Sequence, residues 1–336
     1  MTMESKEIKL IALDISYGDK KCYITKLKGK ELKSLARVSR ADSTDEGYQR
    51  HLDEKRSKAI AAYIDDGSLI PGSIILSYKD TPQFNEANNE LTLVVNNQNF
   101  LVLDGQHRLY GASFANNDID LPICILCNLT SREEIQYFLD INSNQKGVSK
   151  TLQHELTKYL LDDQGSPEAI RLKLFDLLYE SEDSPLLGRM TKTQSITGKI
   201  SHVPFEKALK PILTNNDSMF SKLTTIEDKY NMIRNYLAAF SRMLNESQND
   251  DKVLTTSAYF EAIFKVFDKI SNLSYFHFQN FKEDSLYEII DSLKSIDLEK
   301  YAGSNQQTIA KLYNKMNDLI DSYMYTKSTK INENLF

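Results

Sequence analysis

Short apolar runs separated by turn residues fill the first 150 positions, and from Thr151 onward the apolar spacing changes to a helical one. Ile8 to Leu13 and Lys21 to Leu27 read as two strands around Tyr17-Gly18-Asp19, an opening hairpin. Asp53 is placed to cap a helix in which Ala59, Ile60, Tyr63 and Ile64 recur at helical spacing, and Asp66-Gly67 ends it. Ile74 to Tyr78 follows as a short strand. Leu91 to Val95 and Phe100 to Leu103 flank Asn96-Asn97-Gln98-Asn99, whose asparagines tolerate left-handed backbone, so a second hairpin is expected there. A helix-like run, Leu109 to Ala115, precedes a strand over Leu121 to Leu129. Ser131, with Glu134 three positions on, then reads as a capping box opening a helix with the stripe Ile135, Phe138, Leu139.

In the second half, Ser166-Pro167-Glu168 is a cap with proline at the first helical position. Stripes such as Ile233, Leu237, Phe240, Leu244 and Phe260, Ile263, Phe264, Phe267, Ile270 mark the core faces of successive helices. Aromatics among them, Tyr259 and Phe267 included, read as packing. The tail, Tyr325 to Phe336, is polar and expected to fray. The fold class is therefore α+β: an α/β domain over 1–150 and an all-helical domain over 151–336, a division that the 336-residue length suits.

Composition narrows the function classes. No run approaches the eighteen or so apolar residues of a membrane span, and Met1 to Glu7 lacks the apolar core of a signal peptide, so a cytoplasmic protein is expected. Three cysteines argue against a disulfide framework. Cys124 and Cys127 form a CxxC, but on a strand residues three apart point to opposite faces, which rules out a shared metal or a redox pair. Net charge is −6, yet residues 1–60 hold 14 Lys and Arg against 10 Asp and Glu. A nucleic-acid surface would therefore use the N-terminal part.

Candidate chemistry concentrates in Asp104-Gly105-Gln106-His107-Arg108, between the Phe100 strand and the Leu109 helix. A glycine turn of this kind collects backbone N–H groups and the positive end of a helix dipole, where an anion binds. Arg108 adds a planar fork suited to phosphate, and His107 a group that titrates near neutrality. Asp104 fits a cap for the helix, with orientation of His107 or a metal ion as the other readings. His107 fits a structural hydrogen bond and proton transfer equally. Gln49 and Arg50 precede a helix rich in Lys55, Arg56 and Lys58, and arginine beside a helix start is well placed to meet a phosphate. Asn142, Asn144 and Gln145 lie in an amide-rich loop of the kind that reads base edges, cradles a nucleotide, or simply ends a helix.

Three elements thus occur in order: Gln49-Arg50 with Leu52, Arg56, Ile60 and Tyr63-Ile64; Asp104 to Arg108; and Phe138-Leu139-Asp140-Ile141-Asn142 with Gln145, Val148 and Ser149. Over roughly residues 45–156 this resembles the DGQHR-domain family, and within it most closely the DndB proteins of bacterial DNA sulfur-modification (Dnd) systems. The resemblance implies a fold related to the ParB and sulfiredoxin superfamily, in which an equivalent turn meets nucleotide phosphates; Gly105 and Arg108 match it. Sulfiredoxin-like proteins carry their reactive cysteine inside this turn, where Gln106 and His107 stand here, so sulfinic acid reduction is not implied. It further implies an accessory, DNA-binding role, repression of the modification operon through its promoter, with other DNA-modification proteins or a second copy as partners. Gln49, Arg50, Asp104, Gly105, Gln106, His107, Arg108, Asn142 and Gln145 are then the phosphate, nucleotide or DNA contacts. The alternative is a nucleoside triphosphate hydrolase in which Gly105 and Arg108 hold phosphates, His107 or Asp104 assists water attack, and Mg2+ bridges. No Gly-x4-Gly-Lys-Ser/Thr loop, HExxH, GxSxG or Cys/His metal cluster is present, so no protein-held metal is expected.

Overall fold

The computed structural model describes residues 6–38, 53–95, 99–143, 149–248, 250–301, 303 and 305–332. Its chain forms two compact units, Met1–Val148 and Ser149–Phe336. The first contains β1 (Lys6–Ile11), β2 (Leu13–Asp14), β3 (Cys22–Lys28), α1 (Gly29–Leu35), β4 (Ala36–Arg37), α2 (Glu54–Asp65), β5 (Ile74–Tyr78), β6 (Gln83–Asn85), β7 (Glu90–Val95), β8 (Phe100–Asp104), α3 (Gln106–Phe114), β9 (Asp120–Cys127) and α4 (Ser131–Ser143). Six of these strands make a mixed sheet in the order β2-β3-β9-β5-β8-β4, and β1-β7-β6 make a second, antiparallel one.

The opening hairpin is kept in shortened form, β2 pairing antiparallel with β3 around a Tyr17–Lys20 bridge, while β1 and the second expected hairpin are taken up by longer-range pairing. β1 lies against β7, with Ile8 opposite Leu93 and Leu10 opposite Leu91, and only the two residues of β2 pair back onto β3. The change of sheet falls at Ala12, which is buried and donates its N–H to Asn89 O (2.9 Å). β7 and β8 likewise belong to different sheets. At the end of β7 the backbone bonds are made by side chains instead of a hairpin partner: Tyr78 Oη donates to Val94 O (2.9 Å) and accepts from Val94 N (3.1 Å), and Asn99 Nδ2 donates to the same carbonyl (3.0 Å). Buried backbone groups need partners, and Tyr78 with Asn99 supplies them.

On β9 the alternation is strict: Leu121, Ile123, Ile125 and Cys127 are buried, while Cys124 is half-buried on the other face. The CxxC therefore splits as strand geometry requires. Cys22, isolated in the sequence, instead meets Cys124 across β3 and β9, with the sulfurs 3.5 Å apart. The capping box sits one residue earlier than expected. Thr130 N donates to Glu133 Oε2 (2.9 Å) and Glu133 N donates to Thr130 Oγ1 (3.2 Å). Glu134 is instead buried, accepting from Ser77 Oγ of β5 at 2.6 Å.

The second unit contains α5 (Lys150–Thr157), α6 (Pro167–Glu180), β10 (Met190–Thr191), β11 (Ile200–Ser201), α7 (His202–Thr214), α8 (Ile226–Gln248), α9 (Ser257–Lys265), α10 (Phe267–Phe278), α11 (Glu283–Ile290) and α12 (Gln306–Asn332). It is helical save for β10 and β11, a two-residue parallel pair that the helical periodicity gave no sign of. Ser166 caps α6 as expected, accepting from Ala169 N at 3.2 Å. Phe205, Phe260, Phe264, Phe267 and Tyr236 form an aromatic core in which Tyr236 and Phe267 meet edge to face at 4.8 Å. Tyr259 and Phe267 are both buried, as packing residues. In the backbone α12 continues to Asn332. Among the described residues no helix is long and apolar enough to cross a membrane.

Candidate functional site

The turn after β8 is shaped by an irregularity in the sheet. Ile75 of β5 pairs with Asp104 and Leu76 with Val102, so one residue of β8 is extra and the strand end is re-aimed. Gly105 follows with φ +92°, buried, and a Cβ there would stand 2.8 Å from Ile74 Cδ1. Only glycine meets both conditions. It is the N-cap of α3, which starts without a side-chain cap, so the expected role of Asp104 as that cap is not met.

Asp104 binds Arg108 instead, with Nη2 donating to Oδ2 at 2.6 Å. The guanidinium lies against the bare backbone of two glycines. A Cβ at Gly72, φ +89°, would stand 2.5 Å from Arg108 Nη1, and one at Gly105 would stand 3.2 Å from Nη2. The service of Gly72 to Arg108 needs the fold. The Arg108 side chain, oriented by Asp104, is about one quarter exposed.

A second helix start joins the first. Asp53 Oδ1 caps α2 as expected, accepting from Arg56 N at 3.1 Å. The N–H of Asp53 itself is taken by His107 Nε2 at 3.3 Å. His107 therefore carries an unprotonated Nε2 in this arrangement and links the N-terminal ends of α2 and α3. The two helices cross closely at Gly111, where a Cβ would overlap Ile60 and stand 3.1 Å from the Ser57 carbonyl. The positive end of α3 thus lies at the Asp104–Arg108 pair and that of α2 is tied to the turn through His107, while Glu54 with Lys58 forms a surface ion pair along α2.

Asp104, Gly105, Gln106, His107 and Arg108 are brought together with Asp53 and Gly72. Gln106 is half-buried in the first turn of α3. Asn142 spends its amide within α4, donating to Phe138 O at 2.8 Å, and makes no hydrogen bond to the turn among the described residues. Gln49, Arg50 and Gln145 lie outside the described residues, as do Asn144, Leu52 and Val148. Among the described residues no three His, Cys, Asp or Glu side chains are grouped to hold a metal ion.

The architecture is that of an α+β protein with a glycine-arginine turn set at two helix starts. The family model for DndB, described as DNA-sulfur modification-associated, matches residues 10–289. The chain belongs to the DndB family. The match extends well beyond residues 45–156, taking in β2 to α4 and most of the helical unit. No curated protein and no solved structure matches the chain.

Proposed function

We propose that the chain is a DNA-binding regulatory protein of a DNA sulfur-modification system, a repressor of the modification operon, and that Arg108 with the starts of α2 and α3 receives a backbone phosphate. Family membership supports the pathway. The observation that carries the site is Arg108, held by Asp104 against two bare glycines with its side chain partly exposed. A pre-oriented guanidinium beside helix N-termini suits a phosphate oxygen pair. Gln49 and Arg50 stand a few residues before α2 in the chain, and the proposed contact includes them.

The assay is binding to the operon promoter, followed by fluorescence anisotropy over a salt series. Affinity is expected to fall with salt through counterion release, and Arg108→Ala to lower the slope of log K against log salt by about 1. Absence of any complex at low salt overturns the proposal. The hydrolytic alternative, with a nucleoside triphosphate and Mg2+, draws less support, because Asp104 is engaged by Arg108 and His107 Nε2 by Asp53. Phosphate release that falls in His107→Ala and Arg108→Ala would favour it.

A further inference from the structure

Cys22 and Cys124 are brought together by the pairing of β3 with β9. Ile24 stands opposite Cys124 and Leu126 opposite Cys22, so the two cysteines occupy diagonal positions on one face of the antiparallel pair. Their sulfurs are 3.5 Å apart. Cys127, three residues beyond Cys124, is buried on the other face of the sheet.

The surroundings of the two thiols differ. Ser77 lies opposite Leu126 on the same face and is bonded to Glu134 of α4, and Cys22, the other neighbour of Leu126, is buried. Toward Cys124 the face opens. Cys124 is half-buried, and Ile24 and Leu13, the next residues across the sheet, are 36% and 63% exposed. A small molecule can therefore meet Cys124 from solvent, while Cys22 is shielded. The hydrogen bond from Cys22 holds the Cys124 thiol below its ordinary range, and the same bond, with burial, raises that of Cys22. The thiolate is the nucleophile, so Cys124 is the thiol that reacts first and Cys22 the one placed to resolve its product.

We propose that Cys22 and Cys124 form a reversible, peroxide-responsive pair, in which a hydroperoxide converts the two thiols into a disulfide joining β3 to β9. The Cys124 thiolate attacks one peroxide oxygen and breaks the O–O bond; the departing oxygen takes up the proton lost by Cys124 and leaves as water or an alcohol. Cys124 is then a sulfenic acid. Cys22 Sγ attacks Cys124 Sγ, the S–S bond forms as the S–O bond breaks, and the hydroxide released takes the Cys22 proton to leave as water. Two electrons pass from the sulfurs to the peroxide. A disulfide needs its sulfurs about 2.05 Å apart, so from 3.5 Å they approach by about 1.5 Å, through rotation of the two side chains. A partly exposed bridge of this kind is open to thiol exchange, which returns both thiols.

The reduced full chain is treated with hydrogen peroxide at low protein concentration, and free thiols, intact mass and non-reduced tryptic peptides are measured. Two of the three thiols are expected to disappear with loss of two hydrogens, and dithiothreitol to restore both. Cys124 and Cys127 share the tryptic peptide Leu109–Arg132, so the partner of Cys22 is assigned by fragmentation between them and by Cys127→Ala, which still loses two thiols. In Cys22→Ala the sulfenic acid persists on Cys124 and is captured by dimedone. In Cys124→Ala, Cys22 stays reduced. Survival of all three thiols in the wild-type chain, a bridge that uses Cys127 or joins two chains, dimedone capture as strong in wild type as in Cys22→Ala, or oxidation of Cys22 in Cys124→Ala at the wild-type rate each overturns the proposal.

Discussion

Gly72→Ala separates the shape of the Arg108 site from the stability of the fold. The new Cβ stands 2.5 Å from Arg108 Nη1, with no backbone atom within 4 Å outside its chain neighbours, so the far end of a flexible side chain must yield. Ordinary contact needs a retreat of about 1 Å, enough to break the 2.6 Å pair with Asp104. The backbone, at φ +89°, adds about 1–2 kcal/mol of left-handed strain. In a unit of this size that lowers Tm by about 4 °C per kcal/mol. Gly67→Ala is the matched control, with φ +84° and open space around the added carbon. Both variants should lose similar stability by thermal melting. Only Gly72→Ala should lose promoter affinity, by about 10- to 150-fold, the worth of one charge-assisted phosphate contact of about 1.5–3 kcal/mol. Wild-type affinity in a destabilised Gly72→Ala chain, or an equal loss in Gly67→Ala, would refute the reasoning.

Three further outcomes follow from the packing. The hydrogen bond from Cys22 lowers the Cys124 thiol to about 7, whereas burial pushes Cys127 up to about 12. Iodoacetamide mapping by mass spectrometry at neutral pH should therefore label Cys124 ahead of Cys127, and Cys22→Ala should slow Cys124. Ser77→Ala leaves the buried Glu134 carboxyl without its donor and should destabilise by about 1–3 kcal/mol in denaturant melts; a neutral result would show that the pair contributes nothing. His202 is fully buried, and desolvation, partly offset by its bond to Glu155, holds its pKa below the usual 6.5. The unfolded chain then takes up a proton that the native one resists, so stability should decline as pH falls below about 6.5, and His202→Gln should flatten that decline in melts across pH.

Local chemistry carried much of the first half of the chain. Asp53 and Ser166 cap the helices that their side chains and followers imply, because capping depends on backbone only two or three residues away. The alternation through Cys124 and Cys127 alone separates their faces, since the strand period is two. Thr130-Ser131-Arg132-Glu133-Glu134 shows where that reach ends. Two overlapping boxes satisfy the same spacing, and the choice is made by Ser77 on a distant strand, which takes Glu134 into the core. The first hairpin is cut short and the second fails for a similar reason. Apolar alternation gives a strand a buried face without naming the neighbour it pairs with.

By itself the sequence determined the α+β class, the helical second half, the place of the Asp104–Arg108 turn and, through its ordered motifs, the DndB family. All of these rest on local periodicity or on residues adjacent in the chain. Only the tertiary structure decided that Asp104 pairs with Arg108 rather than capping α3, that Gly72 makes room for that guanidinium, and that His107 reaches the start of α2. Hydrogen-bond and charge partners are chosen by position in space. The sheets and the close crossing at Gly111 fix those positions over separations that no window of neighbouring residues spans.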